Sequence, residues 1–352
     1  MTHSTSPQPS PPKVSIVTPV FNGEKYLRAC IESVLAQSYD NWDYTIVDNC
    51  STDNSLAIAR EYAAQYPQIK VISNTDHVGV VESHNRAFRS IAPDAKYCKL
   101  VSADDWLYPE CVSRLVALAE RYPAVGVVAS YSARTTGVPW SSLPLTKEVF
   151  PGREVGRLYL LGEISFLFAP STVLYRASMV RATDAFFPGS APSADVEACL
   201  TCLKESDLGF VHQILSFERR HHDAITVKMG RTYQQYLDAL RTLIAFGPDF
   251  LTESEQRRRV DEWLSVYFKQ LAVGCVNLEA PQFWRLHQEG LRELGYSIYD
   301  LRLAKALTGK ALDLILNPKA TGEKVARRLR SRRSRVRTPR GGGPRPGSVS
   351  PA

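Results

Sequence analysis

Between Val14 and Ser130, short apolar runs rich in β-branched residues alternate with stretches whose apolar residues recur every three or four positions. Val14 to Val20 (VSIVTPV), Tyr44 to Val47, Lys70 to Ser73, Tyr97 to Val101 and Val125 to Ser130 read as strands. Between the first two, EKYLRACIESVLAQS sets Leu27, Ile31, Val34 and Leu35 at helical spacing. Leu56, Ala59, Tyr62 and Ala63 repeat that pattern, and Val80 to Ile91 and ECVSRLVALAERY add two more helices. A strand that returns parallel to its predecessor needs a crossover of about a dozen residues, and a helix supplies it. The expectation is an α/β fold with a mostly parallel sheet flanked by helices. Ligands of such sheets bind at the carboxyl ends of the strands, so the loops there are where chemistry is expected.

Those loops are polar and acidic. Thr18 and Asn22 follow the first strand, Asp48 and Asn49 the second, and Asp104 and Asp105 the fourth. Adjacent carboxylates repel, so the pair is costly unless a cation neutralises it. Hard divalent ions such as Mg²⁺ or Mn²⁺ are held by one or two carboxylates together with substrate phosphates. Each acid alone has a plainer reading, because Asp is favoured at helix starts and turns. Their recurrence on one sheet edge is what points to a ligand. No GxGxxG follows the first strand and no GxxxxGK[ST] occurs, which argues against dinucleotide and P-loop sites.

The formal net charge of +7 is concentrated in one segment. Residues 318–352 hold 11 of the 43 Lys and Arg but one of the 36 Asp and Glu, leaving 32 basic against 35 acidic residues before them. Residues 317–352 are Gly/Pro/Ser-rich at their end and read as a basic, disordered tail. Such a tail suits an anionic membrane surface through residues 323–340. Nucleic acid is the weaker partner, since no aromatics interleave with the arginines. Residues 1–12 are expected to be a disordered lead-in without the apolar core of a secretory signal, which gives a cytoplasmic expectation. No apolar run reaches the ~20 residues needed to span a bilayer. Seven cysteines lie among core-like residues, and Cys199 and Cys202, within VEACLTCL, are read as reduced core thiols. Residues 231–316 turn helical, as in YQQYLDALRTLIAF and VDEWLSVYFKQLAVGCV, and are expected to form a helical subdomain.

The segment VSIVTPVFNGEKYLRACIESVLAQSYDNWDYTIVDNCSTDNS, followed in order by NTDHVGVVESHNRAF and LVSADDWLYP, resembles the family 2 glycosyltransferases over about residues 13–230. The resemblance implies the GT-A fold over 13–230 and a transferase of nucleotide-diphosphate sugars that inverts the anomeric centre. It implies that Thr18, Pro19, Phe21 and Asp48 contact the donor, the last three at its nucleobase. Asp105 would hold a divalent cation, Mn²⁺ or Mg²⁺, with Asp104 beside the ribose or the ion. Many members read DSDD where this chain reads VSADD, so the first acid is Val101.

The family carries a catalytic base as the Asp of an ED pair at a later helix start, a position taken here by Asp195, with Ala194 in place of Glu. An acid within hydrogen-bond reach of the acceptor hydroxyl suits that role. SFERRHHDAIT resembles a further family segment and implies that Arg219 and His221 lie near the donor phosphates. YLLGEISFLFAPSTVLYR is expected to line the acceptor side, with Ser171 and Arg176 in family-like positions. The absence of a QxxRW-like motif and of spanning segments argues against processive synthesis. The function expected is addition of one sugar in bacterial surface glycan or glycolipid assembly, at the inner face of the plasma membrane. A sugar-phosphate nucleotidyltransferase is the alternative enzyme, but its Gly-rich, Arg/Lys-bearing signature is missing from TPVFNGEKY. A nucleic-acid-binding protein acting through the basic tail is the alternative outside enzymes.

Overall fold

The computed structural model describes residues 10–165, 169–188, 193–219 and 232–316. The chain opens with β1 (Val14–Val20), α1 (Glu24–Leu35), β2 (Trp42–Asp48), α2 (Ser55–Gln65), β3 (Ile69–Ser73), α3 (Val80–Arg89) and β4 (Tyr97–Leu100). β1 pairs in parallel with β2 and β4, and β2 in parallel with β3, so four strands deliver their carboxyl ends to one edge. This is the arrangement the alternating sequence predicts.

The regularity then breaks. β5 (Trp106–Leu107), α4 (Cys111–Arg121) and β6 (Val125–Ala133) are followed by β7 (Val149–Phe150), α5 (Gly152–Leu161), β8 (Val173–Arg176), α6 (Ala177–Arg181), α7 (Ala194–Leu203) and β9 (Asp207–Phe217). β8 lies antiparallel between β4 and β6, β9 runs parallel to β6, and β5 and β7 pair antiparallel with β9. The strand order is β3-β2-β1-β4-β8-β6-β9-β5. β5 and β7 have two residues each and β8 four, too short for a hydrophobic period to register.

Helices cover both faces. On one, Val14, Ile16 and Val20 of β1 pack with Leu27, Ile31 and Val34 of α1, Ile58 of α2 and Leu115 of α4. Alternate residues of a strand face opposite ways; Ser15 accordingly accepts a hydrogen bond from Ala92 N–H at 2.9 Å beyond α3. A second cluster joins Phe88 of α3, Tyr175 of β8, Phe186 and Phe187, ring centroids 4.9–6.0 Å apart. A one-residue slip of β1 would exchange these faces, each lost aliphatic costing about 1.5–3 kcal/mol, so the register is firmly set.

The chain divides into two compact units between Leu264 and Ser265. In the first, α8 (Gln234–Phe250) meets α5 where Gly156 lies under the Phe250 ring; a Cβ there would approach it to 2.4 Å. α9 (Glu253–Asn277) runs across the division, and α10 (Pro281–Glu293) and α11 (Leu301–Leu316) complete the described helices. In the second unit, the buried Tyr267 hydroxyl hydrogen-bonds His287 Nδ1 at 2.5 Å, and Phe283 stacks edgewise on the same ring. No described helix is long and apolar enough to cross a membrane.

Candidate active site

The loops after β1 and β2 are laced together. Asn22 and Cys50 both take the left-handed conformation, with φ of 51° and 61°, so each strand turns sharply as it leaves the sheet. Asn22 Oδ1 accepts Thr52 N–H at 2.7 Å, Gly23 N–H donates to Ser55 Oγ, and Glu24 N–H to Asp53. Asn49 joins this frame to the next loop, its side chain donating to Val78 O and accepting from Val78 N–H and Asn74. The result is a rigid shelf. Pro19 is buried at the end of β1, Asp48 is buried at the end of β2, and Phe21 projects with half its surface exposed, its ring 4.3 Å from that of His77. Thr18 sits behind the shelf. It is fully buried, and its hydroxyl accepts from Tyr44 at 2.8 Å, because alternation along β1 turns it toward α1 rather than the shelf.

The acid loop follows β4, the strand next to β1. Asp105 is almost enclosed; its Oδ2 accepts from Ser171 Oγ at 2.6 Å and its Oδ1 from Arg219 N–H at 2.9 Å. Burial first, then the charge of Asp104, push its carboxyl up to about 7, more than the two hydrogen bonds bring it down. Ser171 is itself fixed, accepting from Ser102 N–H while its carbonyl takes a hydrogen bond from the ammonium of Lys99 at 2.7 Å. Lys99 is fully buried in β4, and desolvation pulls its pKa down. Arg219 spans the opening, donating through Nε to Asp104 O, with its guanidinium 4.4 Å from the Tyr26 ring and 5.0 Å from that of Trp106. The β5–β9 pairing, which stacks Trp106 on Phe217 at 4.0 Å, brings Arg219 there.

Asp195 lies in the first turn of α7 and keeps contact with solvent, yet protein surrounds its carboxyl closely. Desolvation pushes it up to about 7, against a hydrogen bond from Val196 N–H at 2.8 Å, and Glu218 and Glu197 push it the same way. Glu197 is turned to α8, accepting from Thr242 Oγ1 at 2.9 Å and from Ser193. Glu218 raises both Asp105 and Asp195, so one carboxylate links two acids whose other neighbours differ. Its own carboxylate is tied to Ser132 and to the Arg134 guanidinium, whose Nε donates at 2.9 Å.

The structure thus gathers Pro19, Phe21, Asp48, Asp104, Asp105 and Arg219 at the loops of one edge, with Asp195 coupled to them through Glu218. His221 lies outside the described residues. Arg176 donates to Pro123 O and Val125 O, at the start of β6. Sequence reasoning missed Lys99, Glu218 and Asn85. A lysine inside the run KYCKLV was a readable signal. Asn85 was not, since its amide binds Phe187 N–H and O across 102 residues and holds the chain that leads toward α7. All seven cysteines are free, and Cys199 contacts the Tyr175 hydroxyl in the core.

Asp104 and Asp105 are the donors a hard cation could use. Among the described residues no three His, Cys, Asp or Glu side chains converge on one point. Two adjacent carboxylates, one of them enclosed, suit Mg²⁺ or Mn²⁺ shared with substrate oxygens better than an all-protein cage.

Residues 15–183 match the family described as Glycosyl transferase family 2. EpsE of Bacillus subtilis, named as a glycosyltransferase, is 36% identical over 122 residues, 34% of this chain and 43% of its own. The chain therefore spans less than half the length of that relative. Among solved structures, Staphylococcus aureus TarS 1–349 in complex with UDP-GlcNAc shares 16% identity at a TM-score of 0.62, over 79% of each chain. The mannosyltransferase PcManGT of Pyrobaculum calidifontis, in complex with GDP-Man and Mn²⁺, shares 14% at 0.54, over 90% of this chain and 85% of its own. At these identities the two structures establish likeness of fold.

Proposed function

From the match of residues 15–183 to glycosyl transferase family 2, we propose that this chain moves one sugar from a nucleotide-diphosphate sugar to an acceptor hydroxyl, with inversion at the anomeric carbon. The observation that carries the reading is the pair of enclosed acids in unlike surroundings: Asp105 beside Asp104 and Arg219, and Asp195 at the start of α7. The ligands of the two structural neighbours, UDP-GlcNAc and GDP-Man with Mn²⁺, are donors of the same chemical class.

Phe21 offers an exposed ring face to the nucleobase above the shelf, with Pro19 and Asp48 behind it. Asp104 and Asp105 would hold a divalent ion, which when bound offsets charge on the departing diphosphate. Arg219, braced by Tyr26 and Trp106, orients that end of the donor, and His221 is assigned there with it. Asp195 takes the acceptor's proton as the hydroxyl oxygen attacks the anomeric carbon and the nucleotide diphosphate leaves. A carboxyl near 7 is a better base than an ordinary one and is still largely ionised just above neutrality. The setting proposed is bacterial surface glycan or glycolipid assembly at the cytoplasmic face of the membrane, residues 323–340 meeting its anionic surface.

A thermal-shift screen of nucleotide sugars with Mn²⁺ tests the assignment, because a ligand that binds only the native state raises its stability. At least one donor is expected to raise the melting temperature of the wild type and to do so less in Asp105→Ala. A screen in which no nucleotide sugar stabilises the protein would remove the assignment.

A further inference from the structure

α11 differs from the other described helices in that none of its residues with a described side chain is buried. Its exposed residues fall on one face: Leu301, Ala304, Lys305, Thr308, Gly309, Ala311, Leu312 and Leu316. The half-buried ones, Arg302, Leu303, Ala306, Leu307 and Lys310, occupy the opposite side. Among its described side chains the outward face therefore carries three leucines, two alanines and one lysine, without a carboxylate. Leu301 is 86% exposed, Leu316 74% and Leu312 53%, and Tyr299 just before the helix is 86% exposed. Immediately beyond it, residues 323–340 contain nine Lys and Arg and a single acid, Glu323.

We propose that the outward face of α11 and the basic segment after it form a two-part anchor for an anionic lipid bilayer, α11 lying in the interface with its leucines among the acyl chains. This deepens the membrane setting of the proposed function and does not depend on the sugar chemistry. Charge complementarity selects the occupant. A helix with an apolar face and a neighbouring basic stretch gains from both halves of an anionic interface. A second copy docked on the same face would bring two basic segments together, like charge against like. Nucleic acid would neutralise the arginines but leave the leucines in water.

The test is flotation of the full chain with neutral phosphatidylcholine vesicles and with vesicles containing phosphatidylglycerol, at low and high salt. Wild type is expected to float with the anionic vesicles, weakly with the neutral ones, and less as salt screens the charges. Leu312→Glu with Leu316→Glu is expected to reduce flotation by ~10-fold or more, as is Arg332→Glu with Arg333→Glu and Arg335→Glu. Both variants should keep the wild-type melting temperature and donor-induced shift, since Leu312 and Leu316 are exposed and none of the five positions belongs to the proposed transferase site. That separates failure of the anchor from failure of the transferase reading. Flotation unchanged by the leucine substitutions overturns the proposal. So does flotation equal on neutral vesicles, or a dimer in solution that the leucine substitutions dissociate, or retention on RNA or DNA without affinity for vesicles.

Discussion

Asp195→Asn separates the cost of the enclosed acid from its use. Asn keeps the oxygen that accepts Val196 N–H and removes only the ionisable proton. In the native protein Asp195 has its pKa near 7 rather than the ordinary 3.8, so between these values the folded state holds a proton that the unfolded state has released. Stability therefore falls as pH rises through that window and levels off above about 7. At about 1.4 kcal/mol for each tenfold in proton affinity, the whole interval is worth at most about 4 kcal/mol, and the part between pH 5 and pH 8 about 3 kcal/mol. For a unit of this size that is roughly 5–10 °C in melting temperature. The assay is a melting curve of both proteins at pH 5 and pH 8 with a chelator present, so that Asp105 is equally unneutralised in each. The variant's advantage should grow by several degrees between the two pH values, while transfer at pH 8 falls by ~10² or more. A difference in melting temperature that does not change with pH would refute the burial argument. Turnover within tenfold of wild type would move the base elsewhere.

Other residues yield sharper local tests. Ser171→Ala deletes the hydroxyl that donates to Asp105 and accepts from Ser102 N–H, leaving two partners short; it should cost about 1–3 kcal/mol and raise the Mn²⁺ concentration needed for half-maximal transfer, read from a metal titration. Phe21→Ala should weaken donor nucleotide binding by ~10-fold in calorimetry, as loss of a stacking face does, while barely moving the melting temperature because the ring is half exposed. The acid limb of kcat/KM for wild type should fall tenfold per pH unit below about 7, whereas a limb near pH 4 would show that neither perturbed acid takes part.

The parallel half of the fold was readable because its signals are local. β1 to β4 are apolar runs, and the helices between them carry their buried residues at helical spacing. The antiparallel insertion was not, because β5, β7 and β8 are too short to show a period and their partners are distant; Trp106 meets Phe217 across 111 positions. The same distance hid the support of the site. Nothing local ties Ser171 to Asp105, Lys99 to Ser171, or Asn85 to Phe187.

What the sequence determined by itself is the strand–helix alternation, the edge on which loops converge, and the acids placed there, because residue type and spacing fix all three. Tertiary structure alone decided their character. Thr18 belongs to the core because the pleat turns it inward. Asp105 and Asp195 become groups that titrate near neutrality because folding encloses them and sets Glu218 against both. A carboxyl's proton affinity depends on the water and charge around it, and those are properties of the assembled fold.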